Sequence, residues 1–215
     1  MKKEPLLFLF LYFWFFKKAV PDRICENIKK YGLSQQPQVA ITGNEKGNVP
    51  KTKEEFKQLH KTRNSDVVWL NEPWIYREVH PYVRTANVNA GWNFQWDFSE
   101  SAQFTIYKKG QHYSWHADSW DKPYDNPNNP NTHGKIRKIT TVLILSDPED
   151  YEGGALEFNF GNTDPAKKQN TLIPKEVGAK GTIVVFPSHV SHRVQPVTKG
   201  VRYSMPTWHL GWPFK

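Results

Sequence analysis

The residues best placed to do chemistry are His116 and Asp118, two apart in the stretch YKKGQHYSWHAD from Tyr107 to Asp118. If that stretch is extended, side chains two apart leave the same face of the strand. An imidazole and a carboxylate on one face supply two ligands for a divalent iron. A strand-end histidine hydrogen-bonded to a nearby carboxylate would read the same way. Far downstream, GTIVVFPSHVSHRVQPVTKGVRYSMPTWHLG holds His192, which would complete a two-histidine, one-carboxylate triad with metal positions left open for reactants. His189 is the competing ligand, but it follows the FPS turn and would project from a loop. His192 opens an alternating run, with Val194 and Pro196 on its face and Arg193, Gln195 and Val197 on the other. Arg202 comes ten residues after His192. It is expected on the returning strand of the same hairpin, with Thr198-Lys199-Gly200 as the turn. Its planar fork suits a carboxylate held bidentately. Arg193, on the opposite face, is the lesser anchor.

The elements that must position these groups fall into two textures. The front of the chain is helical: PDRICENIKKYG places Ile24, Ile28 and Tyr31 at helical spacing, with Gly32 read as the stop. Residues 35–50 read as a loop and Lys53 to Lys61 as a charged, weak helix. VVWL at 67–70 reads as a short buried strand. Asn71 should then cap a helix through Ile75, Val79, Tyr82, Val83 and Ala86, which Pro81 should kink or break. From Trp92 onward the pattern is strands and turns: 92–98, 103–108, 113–118, 136–146, 154–160, 182–186, 192–197 and 201–208. Eight short strands after a helical front predict a mainly β fold with supporting α, a sandwich or jelly roll buttressed by N-terminal helices. The Pro- and Asn-rich loop from Ser119 to Lys135 leaves directly from Asp118, as a lid or a disordered segment would.

At 215 residues a single domain over 1–215 is expected, with 1–95 as a support region and 96–212 as the core. The formal charge of +8 is compatible with nucleic acid, an acidic protein or an anionic small molecule. One cysteine, Cys25, excludes an internal disulfide and fits a reducing compartment. Lys2 and Lys3 before the apolar run Leu6 to Phe16 look like the start of a signal peptide. The run is too short to span a bilayer, and no small-x-small site follows it. A buried strand is the preferred reading, with a cytoplasmic location; export is the alternative.

Several motifs together carry a resemblance. They are Tyr107-x-x-Gly110-x-x-Tyr113-x-x-His116-x-Asp118, Gly153-Gly154-x-Leu156-x-Phe158, FPS-x-x-x-His192-Arg193-Val194-x-Pro196-Val197, and Gly200-x-Arg202-Tyr203-Ser204 with Trp208. Over about residues 100–210 the chain resembles the Fe(II)- and 2-oxoglutarate-dependent oxygenases, in their prolyl-hydroxylase-like branch. The front hundred residues look like the support region of small stand-alone members from microbes and their phages. The resemblance implies a double-stranded β-helix, iron at His116, Asp118 and His192, and 2-oxoglutarate at Arg202 with Tyr107 nearby. It implies dioxygen as a reactant, admits ascorbate, and needs no side chain as a general acid or base. Tyr113, Trp115 and Trp120 are the substrate-entrance candidates.

The activity it implies is hydroxylation of an unactivated C–H bond, in a peptidyl proline or a free amino acid, with succinate and CO2 as co-products. A nucleic-acid alkylation-repair demethylase shares the histidine–aspartate–histidine pattern and would suit the positive charge. It would carry a second arginine six residues past the first, where this chain has Trp208. A non-catalytic metal-binding β-barrel is the third reading. Neither a membrane nor a nucleic-acid partner is expected.

Overall fold

Alternation along Ala102–Tyr107 sets the architecture. Ala102, Phe104 and Ile106 join a core with the helices, while Gln103 and Tyr107 face a cavity on the other side. Both faces are buried, so this strand lies inside a layered fold. The structure, a computed structural model, describes residues 12–41, 50, 52–119, 122–161 and 170–214. Its strands are β1 (Trp14–Phe16), β2 (Gln38–Val39), β3 (Arg63–Asn64), β4 (Asp66–Leu70), β5 (Phe98–Ser99), β6 (Ala102–Tyr107), β7 (His112–His116) and β8 (Ile136–Ile144). They continue as β9 (Tyr151–Gly153), β10 (Leu156–Asn159), β11 (Thr171–Leu172), β12 (Ile183–Pro187), β13 (Ser191–Val194), β14 (Val197–Gly200) and β15 (Arg202–Gly211). The helices are α1 (Asp22–Ser34), α2 (Lys53–Thr62) and α3 (Pro73–Asn89).

An antiparallel eight-stranded sheet runs β1-β12-β8-β15-β6-β4-β2, with β5 paired to β15, and a five-stranded sheet runs β11-β10-β13-β7-β3. Together they form a double-stranded β-helix, buttressed by N-terminal helices as expected. Cys25 and Ile28 of α1 and Ile75, Val79, Val83 and Ala86 of α3 pack on the outer face of the large sheet. A second apolar cluster, including Val142, Leu156, Phe158, Val184 and Phe186, joins the two sheets. Each such fully buried side chain contributes roughly 1.5–3 kcal/mol. Among the described residues no helix is long and apolar enough to cross a membrane. Of the apolar run at the N-terminus, Trp14–Phe16 is strand, antiparallel to β12; Leu6 to Leu11 lie outside the described residues.

Several local expectations are corrected. Gly32 does not stop α1, which continues to Ser34. A Cβ on Gly32 would sit 2.5 Å from the Phe104 ring, so the glycine lets helix and sheet approach closely. Asn71 does not cap α3. Glu72 holds the cap position, and the Asn71 side chain accepts a hydrogen bond from Ser101 Oγ at 2.5 Å. Of the kink or break expected at Pro81, the break does not occur, and α3 continues through it. That proline is exposed, so the carbonyl it leaves unpaired can turn to water. Residues 92–97 are not strand; the Asn87 side chain takes the place of a neighbouring strand, exchanging two 2.9 Å hydrogen bonds with the Phe94 backbone. Trp69, in the expected buried strand, is 44% exposed.

The hairpin expected between His192 and Arg202 is also absent. Residues 197–200 are themselves strand β14, paired with β9, and β15 then enters the large sheet. His192 and Arg202 therefore face each other from different sheets.

Candidate metal centre and adjoining pocket

His192 on β13 pairs with His116 on β7, and Val194 pairs with Tyr113. One residue of β13, Arg193, thus opposes two of β7, Ser114 and Trp115. This β-bulge turns Tyr113 and His116 to the same face, which strict alternation would forbid for residues three apart. Their rings stack with centroids 3.5 Å apart. Asp118 lies just past the end of β7, where its backbone N–H donates to the Ser188 carbonyl at 2.8 Å. The FPS turn after β12 therefore fixes the carboxylate beside the two imidazoles.

One ligand atom from each of His116, Asp118 and His192 lies within 4.8 Å of the others. The Nε2 atoms of His116 and His192 stand 3.7 and 3.5 Å from the two Asp118 oxygens. Each ring has its Nδ1 on a backbone carbonyl, that of Ser114 at 2.8 Å for His116 and that of Val190 at 3.0 Å for His192. Those contacts place the ring proton on Nδ1 and leave the Nε2 lone pair directed at the centre. Burial, reinforced by the neighbouring His192, pushes the pKa of His116 down to about 3, so it is a neutral ligand and not half of an ion pair. Burial alone would raise the Asp118 carboxyl. His192, His116, Arg137 and a 2.8 Å hydrogen bond from Thr140 Oγ1 outweigh that and hold it below the ordinary range. Two imidazoles with Nε2 turned to the centre and an ionised carboxylate are the donor set that suits a divalent iron with coordination positions left open.

A cavity of about 40 Å³ joins this trio to Arg202 and Tyr107. Arg202 pairs across strands with Tyr107, and its guanidinium lies 5.5 Å from that ring's centroid. It is 1% exposed, and its Nη1 donates to Ser204 Oγ at 2.9 Å. Among the described residues, two buried side-chain nitrogens have no hydrogen-bond partner, Arg202 Nε and Trp208 Nε1, and both residues line this cavity. A buried donor without a partner costs about 1–3 kcal/mol, more for a charged group. A carboxylate beside Arg202 would remove that cost, so the residues present fit a small dicarboxylate.

Tyr113 lines the cavity, its hydroxyl pKa raised to about 12, chiefly by burial. Trp115 does not line it. The bulge turns its indole outward, under the Arg193 guanidinium at 4.6 Å. Arg193 also donates from Nε to Glu157 at 2.7 Å, so it is engaged away from the pocket. His189 is exposed. Trp120 lies outside the described residues. The Asn-rich loop is tied down where it is described: Tyr124 N–H donates to the Lys135 carbonyl and Gly134 N–H to the Tyr124 carbonyl, each at 2.9 Å.

Some site residues carried no sequence signal. Thr140 supports Asp118 together with Ser188 of the FPS motif, with 3.0 Å between their hydroxyls. Arg63 lies 4.6 Å from the Tyr113 ring centroid and donates to Gln103. Arg137 packs over Trp208 at 3.9 Å while holding Glu100. Strand β8, threaded between β12 and β15, brings Arg137 and Thr140 to Trp208 and Ser188, while Arg63 arrives on β3, paired with Tyr113 of β7.

The model of the 2OG-Fe(II) oxygenase superfamily matches residues 102–210. A PKHD-type hydroxylase of Sphingopyxis alaskensis is 37% identical over 99 residues, 46% of this chain and 38% of that protein. One from Pseudoalteromonas atlantica is 33% identical over 109 residues, 49% of this chain and 41% of that one. The chain thus spans about two fifths of the length of these curated relatives. Among solved structures, a Pseudomonas putida prolyl-4-hydroxylase superposes with a TM-score of 0.62 at 18% identity, covering 95% of this chain and 99% of that one. The viral collagen prolyl hydroxylase of Paramecium Bursaria Chlorella virus-1 gives 0.59 at 19%, covering 93% and 96%. These two likenesses bear on the fold, and the fold is the same. With the family match covering half the chain and the metal-binding donor set in place, this chain belongs to the 2OG-Fe(II) oxygenase superfamily.

Proposed function

We propose that the chain is an Fe(II)- and 2-oxoglutarate-dependent dioxygenase that hydroxylates an unactivated C–H bond, with peptidyl proline as the first substrate class and a free amino acid as the second. The observation that supports this best is the convergence of His116, Asp118 and His192 in one cavity with the buried, half-satisfied Arg202. Bound iron, with 2-oxoglutarate and dioxygen, supplies the oxidising power, and succinate and CO2 leave as co-products.

The chain's own residues place and shield. His116, Asp118 and His192 would hold the metal, with the Asp118 carboxylate fixed by a hydrogen bond from Thr140. Arg202 would take the far carboxylate of the cosubstrate, with its unpartnered Nε as a free donor, and Tyr107 walls its guanidinium. The large sheet and Phe186, against the His192 ring at 4.7 Å, keep water away from that side. The unpartnered indole N–H of Trp208, buried in the lining of the same cavity, offers a donor to whatever polar group of the reactants enters there. Peptidyl proline also draws support from two structural neighbours that are prolyl hydroxylases, one of them in complex with a peptide fragment. Ascorbate would serve as an accessory reductant.

The test is succinate release from 2-oxoglutarate with Fe(II) and a panel of proline peptides, free amino acids and methylated oligonucleotides. Stimulation by a proline peptide is expected. Stimulation by the oligonucleotides alone would move the chain to the demethylases, and no 2-oxoglutarate turnover or binding would leave a metal-binding barrel.

A further inference from the structure

Arg202 is a partition. On one side it faces the cavity that holds His116, Asp118 and His192. On the other it lines a second cavity of about 210 Å³, whose walls include Tyr151, Gly153, Gly154 and Lys175. Gly154 lines only the second cavity, so it stands behind Arg202 as seen from the metal ligands. Its backbone is left-handed at φ +61°, and a Cβ there would lie 2.9 Å from Arg202 Cδ, 2.9 Å from Val197 Cγ2 and 3.3 Å from Tyr151 Cε2. The absence of a side chain at this position is what lets the arginine stem lie back.

We propose that Gly154 sets the depth of the cosubstrate cavity and so selects the length of the 2-oxo diacid that spans from the metal to Arg202. This rests on the reading of Arg202 as the cosubstrate anchor. Of the atoms that a methyl at position 154 would meet, Val197 Cγ2 belongs to a buried cluster with Tyr107 and Val194. Of the two atoms met at 2.9 Å, the Arg202 stem is the one with open space on its far side, in the cavity before it. An added methyl therefore pushes the guanidinium toward the metal ligands. It also bends the guanidinium off Ser204, its one hydrogen-bond partner among the described residues. The five-carbon 2-oxoglutarate then becomes too long, and a four-carbon 2-oxo diacid loses less. Gly154 is a positioning residue in this scheme, since it acts through Arg202 and touches no reactant.

The experiment is direct calorimetric binding of 2-oxoglutarate and of oxaloacetate to full-length protein loaded with zinc in place of iron, which needs no turnover. Gly154→Ala should weaken 2-oxoglutarate by roughly tenfold or more, the scale of one charged hydrogen bond, and oxaloacetate by clearly less. Gly91→Ala is the control for backbone strain. Its φ is +73° with nothing within 4 Å of the added carbon, so it should lower stability and leave both affinities alone. Gly154→Ala/Val197→Ala gives the methyl room on its other side and should recover part of the 2-oxoglutarate affinity; it is also the variant to use should the single substitution fold poorly. Equal losses for both diacids, or an unchanged affinity in Gly154→Ala while Arg202→Ala abolishes binding, overturns the proposal. A wild-type protein that binds 2-oxoglutarate no better than Arg202→Ala does would instead overturn the anchor reading itself.

Discussion

His116 and His192 sit directly opposite each other on adjacent antiparallel strands, with ring centroids 4.2 Å apart. That pairing converts two distant sequence positions into one half of a coordination shell. Asp118, 7% exposed and ionised, closes it from the strand end. Substituting His116, Asp118 or His192 by Ala should each abolish 2-oxoglutarate turnover and leave no stoichiometric Fe(II) after dialysis, as read by metal analysis. His189→Ala should keep both. Loss of metal in the His189 variant with retention in His192→Ala would exchange their roles.

The support of Asp118 is testable separately. Thr140 donates to its carboxylate and contacts Ser188, whose carbonyl receives the Asp118 N–H. Thr140→Val keeps the shape and removes the donor. Metal affinity should fall about 10- to 100-fold, the usual cost of losing an outer partner of a ligand. Competition against a chelator of known affinity measures it, and an unchanged constant would mean that the backbone alone positions Asp118.

Arg202 and Arg193 make opposite predictions. Arg202 is buried at the cavity with an unsatisfied Nε, while Arg193 is held by Glu157 outside it. Arg202→Ala should raise the 2-oxoglutarate concentration needed for half-saturation by at least about tenfold, with a smaller effect on the rate at saturation. Arg193→Ala should alter neither by more than a small factor. The reverse outcome, measured by succinate formation across a 2-oxoglutarate series, would place the cosubstrate on the other face of β13.

What could be read from sequence was local. His116-x-Asp118 and the alternation after His192 use spacings of two, which any extended strand expresses. The register that unites them is not local: the bulge at Ser114–Trp115 exists only against Arg193. Thr198-Lys199-Gly200 carried a short-range hairpin signal, yet pairing with Tyr151–Gly153 made it a strand and sent Arg202 to the other sheet. Trp115 looked like an entrance residue because it neighbours a ligand, and the same bulge turned it outward. Thr140 is an ordinary hydroxyl in sequence, and Ser188 is marked by the FPS motif without a stated role. Their role appears only once β8 and β12 lie side by side.

Gly32 offers a case in which two effects oppose each other. In an isolated helix Gly→Ala gains about 1 kcal/mol. Here the new Cβ would sit 2.5 Å from the ring of Phe104, which is fully buried and stacked on Tyr203. Overpacking of that kind costs about 1–3 kcal/mol and should win. Gly32→Ala should therefore lower the urea midpoint. A Gly32→Ala/Phe104→Leu double variant should lose less than the two single changes summed, because each relieves the other. A rise in stability for the single variant would show that the ring moves freely.

His209 predicts an acid sensitivity unrelated to the metal. It is fully buried on the outer face of the large sheet, with Nδ1 at 2.8 Å from Ser99 Oγ and Nε2 at 2.9 Å from Thr141 Oγ1. Burial, with His80 and Arg84 adding repulsion, pushes its pKa down to about 3. In the unfolded chain a histidine titrates near ~6.5. Below that pH the unfolded state binds a proton that the folded state refuses, so stability is full above the unfolded pKa and falls as the pH drops toward the folded one. The slope contributed is at most ~1.4 kcal/mol per pH unit. His80 lies on Ser99 at 3.0 Å and its pKa is also lowered by burial and by Arg84, so it adds in the same direction. His209→Gln removes the larger contribution while keeping one polar contact to Ser99 or Thr141. Its stability at neutral pH should be lower than wild type, and the loss between pH 6.5 and 4.5 should be shallower. Denaturant titrations of both proteins across that interval, without added metal, read the two slopes, and parallel slopes would mean that His209 is protonated in the folded protein.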